Sequence, residues 1–286
     1  MPIKDDLSVR MKSFYEEIPK TKLMRRTPVI IRIDGKAFHT FTRGFEKPFD
    51  DILIRTMQET TKYLCENIQG CVLGYTQSDE ISLVLVDYQK FETSAWFDYE
   101  VQKMCSISAS MATMAFNRFF TENTLDIRTV DAQSGVQSGA KKTLGAVYEA
   151  AVKKGAMFDA RVFNIPKEEV TNCIYWRQLD ASRNSIQMLG QAHFSHKELQ
   201  HKSQNDIQDM LMLQKGINWN DLPVHKKRGT CVIKKYESET EKNPDTDGAT
   251  ETENTIMHAR WFIDEDIPIF KGEGRDYIES LVMVGD

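Results

Sequence analysis

Residues 70–88 read GCVLGYTQSDEISLVLVDY, two apolar runs, Cys71 to Tyr75 and Ile81 to Val86, joined by the polar cluster Thr76 to Glu80. Apolar, β-branched and aromatic residues on either side of a short polar joint spell a β-hairpin. What flanks it decides the fold. Upstream, TPVIIRID (27–34) is a strand that ends on Asp34 before Gly35. After the turn KAFHTFTRGFEKP a helix begins near Pro48, with Ile52, Leu53, Met57 and Leu64 recurring at helical spacing through Asn67. Downstream, a second helix is expected from about Ser94 to Phe120, its Ser106, Ser108, Ala109, Ser110, Ala112 and Ala115 small enough to lie close against a sheet. MFDARVFNI (157–165) is a fourth strand, broken by Pro166.

The order β-α-β-β-α-β is the split βαβ, or ferredoxin-like, arrangement: an α+β fold, an antiparallel sheet with helices on one face. Residues 4–24 read as an amphipathic helix with Phe14 and Tyr15 on one side and Pro19 near its end. Residues 121–155 read as an insertion holding one short helix, and a long helix follows Pro166. The first 190 residues then make one domain. Residues 191–286 form a C-terminal elaboration packed on it: a helical part, a basic hairpin candidate (HKKRGTCVIKKY, 225–236), a mobile polar loop near 237–254, and a last strand with a bend (HARWFIDEDIPIF, 258–270).

Composition bounds the function classes. With 286 residues, 41% hydrophobic, the chain is long enough for one sizeable core. Its 37 Lys plus Arg against 42 Asp plus Glu leave a net charge of -5, so a polyanionic partner has to be met by local basic clusters. The five cysteines are scattered, without zinc-ligand spacing. The N-terminus is charged and no window approaches a membrane span, so a cytoplasmic protein without membrane contact is expected.

In the split βαβ order the first strand lies beside the hairpin, so Asp34 and Asp79 converge. Two carboxylates one sheet spacing apart repel unless a cation lies between them, and oxygen-only ligation favours Mg²⁺ over zinc. Gly35 leaves room for a phosphate or metal to approach the backbone. This is the geometry of two-metal phosphoryl transfer. Glu80 points to the opposite face of a regular strand, a less secure ligand. An Asp-Gly pair alone usually marks a turn, and it is the pairing with Asp79 that argues for a site. The pattern leaves polymerases, nucleotide cyclases and other metal-dependent phosphotransferases open. Lys36, His39, Arg43 and Lys47 offer cations to a triphosphate, Phe38 and His39 could flank a base, and Lys103 lies on the helix facing the site. For nucleic acid, the candidates are Trp176, Arg177 and Arg183, with Lys226, Lys227 and Arg228 in HKKRG, and Lys234 and Lys235.

The segments RIDGKAFHTF, FEKPFD, GYTQSDEISLVL, FDARVFNIP, YWRQLDASRNSI and RGTCVI resemble, in order, the motifs of the tRNA-His guanylyltransferase family, the 3′-to-5′ nucleotide-adding polymerases. The match spans roughly residues 5–235, with gaps. The resemblance implies a palm like that of polymerases and cyclases, run in reverse. A tRNA 5′-monophosphate is activated by ATP or GTP with release of pyrophosphate. The 3′-hydroxyl of an incoming nucleotide then attacks that end and expels the mononucleotide. By the same resemblance Asp34, the Gly35 carbonyl and Asp79 hold two Mg²⁺, with Glu80 beside them. Asp34, Gly35, Lys36, Ala37, Phe38, His39, Ser78 and Asp79 line the nucleotide site, while Lys47 and Lys103 match basic positions near phosphates. Partners implied are tRNA, nucleoside triphosphates and further copies of the chain, as a homotetramer. Members dedicated to tRNA-His carry His-Ile-Asn-Asn after WRQ, where this chain reads Ser182-Arg183-Asn184-Ser185. That departure resembles the bacterial and archaeal "like proteins", template-dependent repairers of truncated tRNA 5′ ends. The alternatives are a tRNA-His-specific enzyme, a palm-type cyclase or dinucleotide synthase, and a tRNA-binding protein that has lost catalysis.

Overall fold

Side chains alternate along a strand, so Val29, Ile31 and Ile33 of β1 (Val29–Gly35) face one side of the sheet and Ile30, Arg32 and Asp34 the other. Both sides are covered in the computed structural model, which describes residues 6–134, 143–241 and 254–285. Helix α1 (Asp51–Asn67) follows β1. The hairpin β2 (Cys71–Gln77) and β3 (Glu80–Leu85) comes next, then helix α2 (Val101–Asn123) and strand β4 (Phe158–Asn164). They pair antiparallel in the order β4-β1-β3-β2, the ferredoxin-like order expected. Both crossover helices pack on one face: Met57 and Leu64 of α1 with Met104, Ala112 and Phe116 of α2 close over Val29, Ile31, Ile33, Leu83 and Leu85.

The opposite face is covered by the long helix α5 (Lys167–His193) and by α7 (Asp276–Val282). Val170, Ile174, Ile278 and Val282 pack there against Ile30, Leu73, Tyr75 and Val84. Between α2 and β4 lie α3 (Leu125–Ser134) and α4 (Leu144–Lys154), two helices where one was expected; residues 135–142 fall outside the described residues. Tyr148 and Ala151 of α4 enter the main core. Helix α6 (Gln204–Lys215) packs Ile207 and Leu211 against Ile186 and Leu189 of α5.

The structure corrects several boundaries. Residues 224–228 form one helical turn rather than a hairpin arm, and β5 (Thr230–Glu241) begins after Gly229. The hairpin partner of β5 is β6 (Asn254–Asp264), paired as far as Glu241 with Asn254, so the ladder runs into the expected loop at both ends. The loop's centre, residues 242–253, lies outside the described residues. β5 pairs with β2, so the C-terminal strands extend the same sheet. Helix α2 starts at Val101, after the single turn Trp96–Tyr99. The N-terminal segment makes two short turns, Leu7–Met11 and Lys12–Glu16, with Phe14 and Tyr15 exposed. The two adjoin as one helical run of ten residues, α then π, with none of its side chains buried. Among the described residues no helix is long and apolar enough to cross a membrane.

Candidate active site at the end of the central strands

β1 ends between two antiparallel neighbours, and its last residues are held from both sides. Asp34 is opposite Glu80 of β3 and Asp159 of β4. The Gly35 N–H donates to the Asp79 carbonyl at 3.1 Å and the Lys36 N–H to the Met157 carbonyl at 2.8 Å, which fixes the exit of β1 beside the β2–β3 turn. Ser78, the first residue of that two-residue turn, adopts a left-handed conformation (φ +51°), a place where glycine is the easy choice. The hydroxyl that a glycine would lack donates to Asp79 Oδ1 at 3.0 Å. Tolerated strain at a functional turn is consistent with a side chain kept for its chemistry.

The carboxylates crowd one another. Burial, then the charges of Glu80 and Asp159, push Asp34 above its usual range, while Arg32 and Arg161 pull the other way. Burial pushes Asp79 up to about 6; the Ser78 hydroxyl and a backbone N–H offset part of this, and the charges of Asp34 and Glu80 add to it. Uncompensated negative charge in a half-buried place is what a bound cation relieves. Among the described residues no three His, Cys, Asp or Glu side chains converge as a metal cage. Two carboxylates with a backbone carbonyl, completed by substrate phosphates, are instead how Mg²⁺ is commonly held at phosphoryl-transfer sites, and the donor set fits that ion.

Glu80 is held elsewhere. Its Oε1 accepts from Arg32 Nη2 at 2.8 Å, and its Oε2 accepts from Gln77 Nε2 at 3.1 Å. Arg177 Nε lies 3.2 Å from the same Oε2, off the hydrogen-bond direction, and is left without an acceptor. The guanidinium also binds Asp180 at 2.5 Å. Asp180 loses solvation through burial, yet the Arg177 and Arg183 guanidiniums outweigh this and hold its carboxyl below the usual range. Alternating rows thus cross the sheet on this face, acids at Asp159, Asp34 and Glu80, then bases at Arg161 and Arg32 two residues away.

Asp34 and Asp79 line a cleft of about 680 Å³, within the range that holds small ligands. Gly35, Ala37, His39 and Ser78 line it too, as does the loop from Thr42 to Pro48 with Arg43 and Lys47. Phe38 forms part of the floor while its ring is held among Phe41, Phe116 and Phe158, with centroids 5.1–5.4 Å away. That ring is why position 35 is glycine. A Cβ there would lie 2.2 Å from Phe38 Cδ2, so Gly35→Ala has to displace the aromatic cluster. It is expected to cost about 1–3 kcal/mol of stability, read by urea denaturation, with a weaker nucleotide affinity.

A family model described as tRNAHis guanylyltransferase (Thg1) matches residues 8–166. The fold and the sequence are also similar to a bacterial tRNA(His) guanylyltransferase (Thg1)-like protein solved in complex with ATP. Identity there is 41%, the TM-score is 0.76, and 97% of this chain and 99% of that one are covered. A complex of a bacterial Thg1-like protein with GTP matches at 38% identity and a TM-score of 0.73 over 98% of this chain and 100% of that one. The chain belongs to the tRNA-His guanylyltransferase family. It is therefore a member of a nucleotidyltransferase family, built on the palm fold of the Thg1-like proteins. Among curated relatives, a probable tRNA(His) guanylyltransferase of Drosophila melanogaster is 26% identical over 239 residues, 79% of this chain and 72% of that protein.

Not every family position gathers at the cleft. Lys36 is exposed at the exit of β1 and is not part of the cleft wall. Lys103 sits at the opposite end of the sheet: it pairs with Glu100 at 3.9 Å, and that turn of α2 lies beside residues 21–23, before β1. Helix α2 meets the site farther along, where Phe116 packs on Phe38 and Phe120 stacks on Phe45. Of the candidate RNA contacts, Trp176 is 53% exposed and Arg183 is exposed and paired with Asp180, but Arg177 and Lys227 are 4% and 7% exposed. The Lys227 ammonium donates to the Asn220 carbonyl at 2.5 Å, and Lys226 pairs with Asp51 at 2.5 Å. The Arg228 carbonyl accepts from the Tyr75 hydroxyl at 2.6 Å. Sequence reasoning missed Arg32, Asp159 and Arg161, although each is a charge set into an apolar strand.

Proposed function

We propose that this protein adds nucleotides to the 5′ end of tRNA in the 3′-to-5′ direction, copying the opposing strand, and so repairs truncated 5′ ends. The observation that carries the reading is the Asp34–Asp79 pair in the lining of a cleft that Arg43 and Lys47 line as well. The carboxylates of Asp34 and Asp79 suit a metal, and the cations of Arg43 and Lys47 suit triphosphate oxygens. Two Mg²⁺ held by Asp34, the Gly35 carbonyl and Asp79 would neutralise the phosphate at the reacting centre and activate the attacking oxygen. His39, Arg43 and Lys47 would bind the polyphosphate of ATP or GTP and orient its α-phosphate. In the first step a 5′-phosphate oxygen of tRNA forms a bond to that phosphorus as the bond to pyrophosphate breaks. In the second, the 3′-hydroxyl of an incoming nucleotide bonds to the tRNA 5′-phosphorus, and the nucleoside monophosphate leaves. Glu80, fixed by Arg32 and Gln77, supports the turn that carries Asp79. Repair is favoured over a dedicated tRNA-His role by Ser182-Arg183-Asn184-Ser185, which departs from the His-Ile-Asn-Asn that the resemblance assigns to dedicated enzymes. We place the reaction in the cytoplasm and expect a homotetramer.

The test is incubation with Mg²⁺, labelled nucleoside triphosphates and a 5′-truncated, 5′-monophosphorylated tRNA whose opposing 3′ nucleotide is varied. Lengthening at the 5′ end by the complementary nucleotide alone is expected, and loss of it in Asp79→Ala. Addition of guanosine whatever the opposing base would replace repair by a tRNA-His role. A cyclic or linear dinucleotide formed without RNA would overturn the reading.

A further inference from the structure

Helix α4 supplies none of the side chains that line the cleft, yet it backs the loop that does. Three contacts made by one turn of α4 reach that loop. Gly44, in a left-handed conformation (φ +94°), runs so close to Val147 that a Cβ would lie 3.3 Å from both its methyl groups. The Phe45 ring meets Tyr148 edge-on at 5.1 Å and stacks on Phe120 at 5.6 Å. Asp50, buried at the start of α1, gathers the rest. Its Oδ1 accepts from the Leu53 N–H at 2.9 Å, and its Oδ2 accepts from the Glu46 N–H at 3.1 Å and from the Tyr148 hydroxyl at 2.8 Å. The next residue of α4, Glu149, ties the helix to α3 through Arg128 at 2.7 Å.

Asp50 also lines the cleft, so its carboxylate is kept from turning into the phosphate space by these donors. Two of them are backbone groups. The third is a side chain of α4, which lines no part of the cleft itself. We propose that Tyr148 is a positioning residue for triphosphate binding: through Asp50 and Phe45 it holds the loop bearing Arg43 and Lys47, and keeps the Asp50 charge out of the phosphate space. The proposal rests on the reading that this cleft takes a nucleoside triphosphate. Its signature is charge-dependent, because a misdirected carboxylate repels three phosphates more than one.

The experiment compares the wild-type protein with Tyr148→Phe for binding of ATP and of AMP in Mg²⁺, by calorimetry, and for kcat and KM. The ATP dissociation constant is expected to rise about tenfold, as for loss of one hydrogen bond to a charged group, while that of AMP changes less than about threefold. KM for ATP should rise with kcat retained. Ala151→Gly, in the same helix, should lower stability while leaving ATP affinity unchanged. If Tyr148→Phe does not fold, Val147→Ala, which loosens the contact under Gly44, should show the same selectivity for ATP over AMP at a smaller size. Equal losses for ATP and AMP, or an ATP affinity equal to that of the wild type, would overturn the proposal. Failure of the wild-type protein to bind ATP would instead remove the reading of the cleft itself.

Discussion

Asp79→Asn is expected to abolish nucleotide addition, by about a thousandfold or more, and yet to make the metal-free protein more stable at neutral pH. The loss follows from removing a carboxylate that a metal-dependent phosphoryl transfer needs at the reacting phosphate. The gain follows from the titration of Asp79, pushed up from 3.8 to about 6 by burial and by its acidic neighbours. Below the unfolded pKa the group is protonated in both states and costs nothing. As pH rises through about 6 the folded state must hold a charge that the unfolded chain carries more easily, and stability falls. A tenfold difference in proton affinity between the folded and unfolded chain is worth about 1.4 kcal/mol, so above pH ~7 the asparagine variant should be more stable by about 2–3 kcal/mol, and near pH 4 by almost nothing. Urea denaturation across that range in EDTA, repeated in Mg²⁺ with nucleotide, checks it. Mg²⁺ should stabilise the wild type and close the gap; equal stability of the two proteins at pH 8 without metal would contradict the account.

Arg177→Met is expected to cost about 3–5 kcal/mol, the usual consequence of removing one member of a buried ionic network. Arg177 is only 4% exposed, and its guanidinium serves both Glu80 and Asp180. Without it α5 loses its polar tie to the β2–β3 turn. Arg32 and Arg183 keep part of the pairing, which puts the expected loss toward the lower end of that range. Asp180 supplies the pH dependence. With its folded pKa held down, its contribution is present above the unfolded value of about 4 and is lost as pH falls through the folded one, so variant and wild type should converge in acid. Chemical denaturation at two pH values reads both effects. The same variant separates packing from RNA contact. The salt dependence of tRNA binding should be unchanged in Arg177→Met but shallower by about one ion in Arg183→Ala, whose side chain is exposed.

The sheet was legible because its signals are local. The β-branched apolar run in TPVIIRID, the strand MFDARVFNI ended by Pro166, the hairpin around Ser78, and helical spacing in 51–67 each hold within one element, and together they prescribe the strand order that brings Asp34 to Asp79. What escaped depends on partners distant in sequence. Arg177 lies beside an exposed tryptophan in a polar helix and reads as a nucleic-acid contact, but α5 turns it inward to Glu80, far earlier in the chain. Lys103 reads as facing the site because it sits on the right helix, and it is the direction of that helix which places it at the wrong end. The segment 121–155 gave no signal of use because Tyr148 acts on Asp50, 98 positions away. The basic run HKKRG announces phosphate, while Lys226 and Lys227 are engaged with Asp51 and Asn220. Charge patterns in loops report composition; only the fold assigns their partners.

The most direct measurement is anomalous scattering from crystals grown with Mn²⁺ and a non-hydrolysable nucleoside triphosphate. The account predicts Mn²⁺ between the Asp34 and Asp79 carboxylates, touching the phosphates, with Glu80 still bound to Arg32. A triphosphate seated in the cleft with no metal at Asp34 and Asp79, or with metal on Glu80 instead, would contradict it.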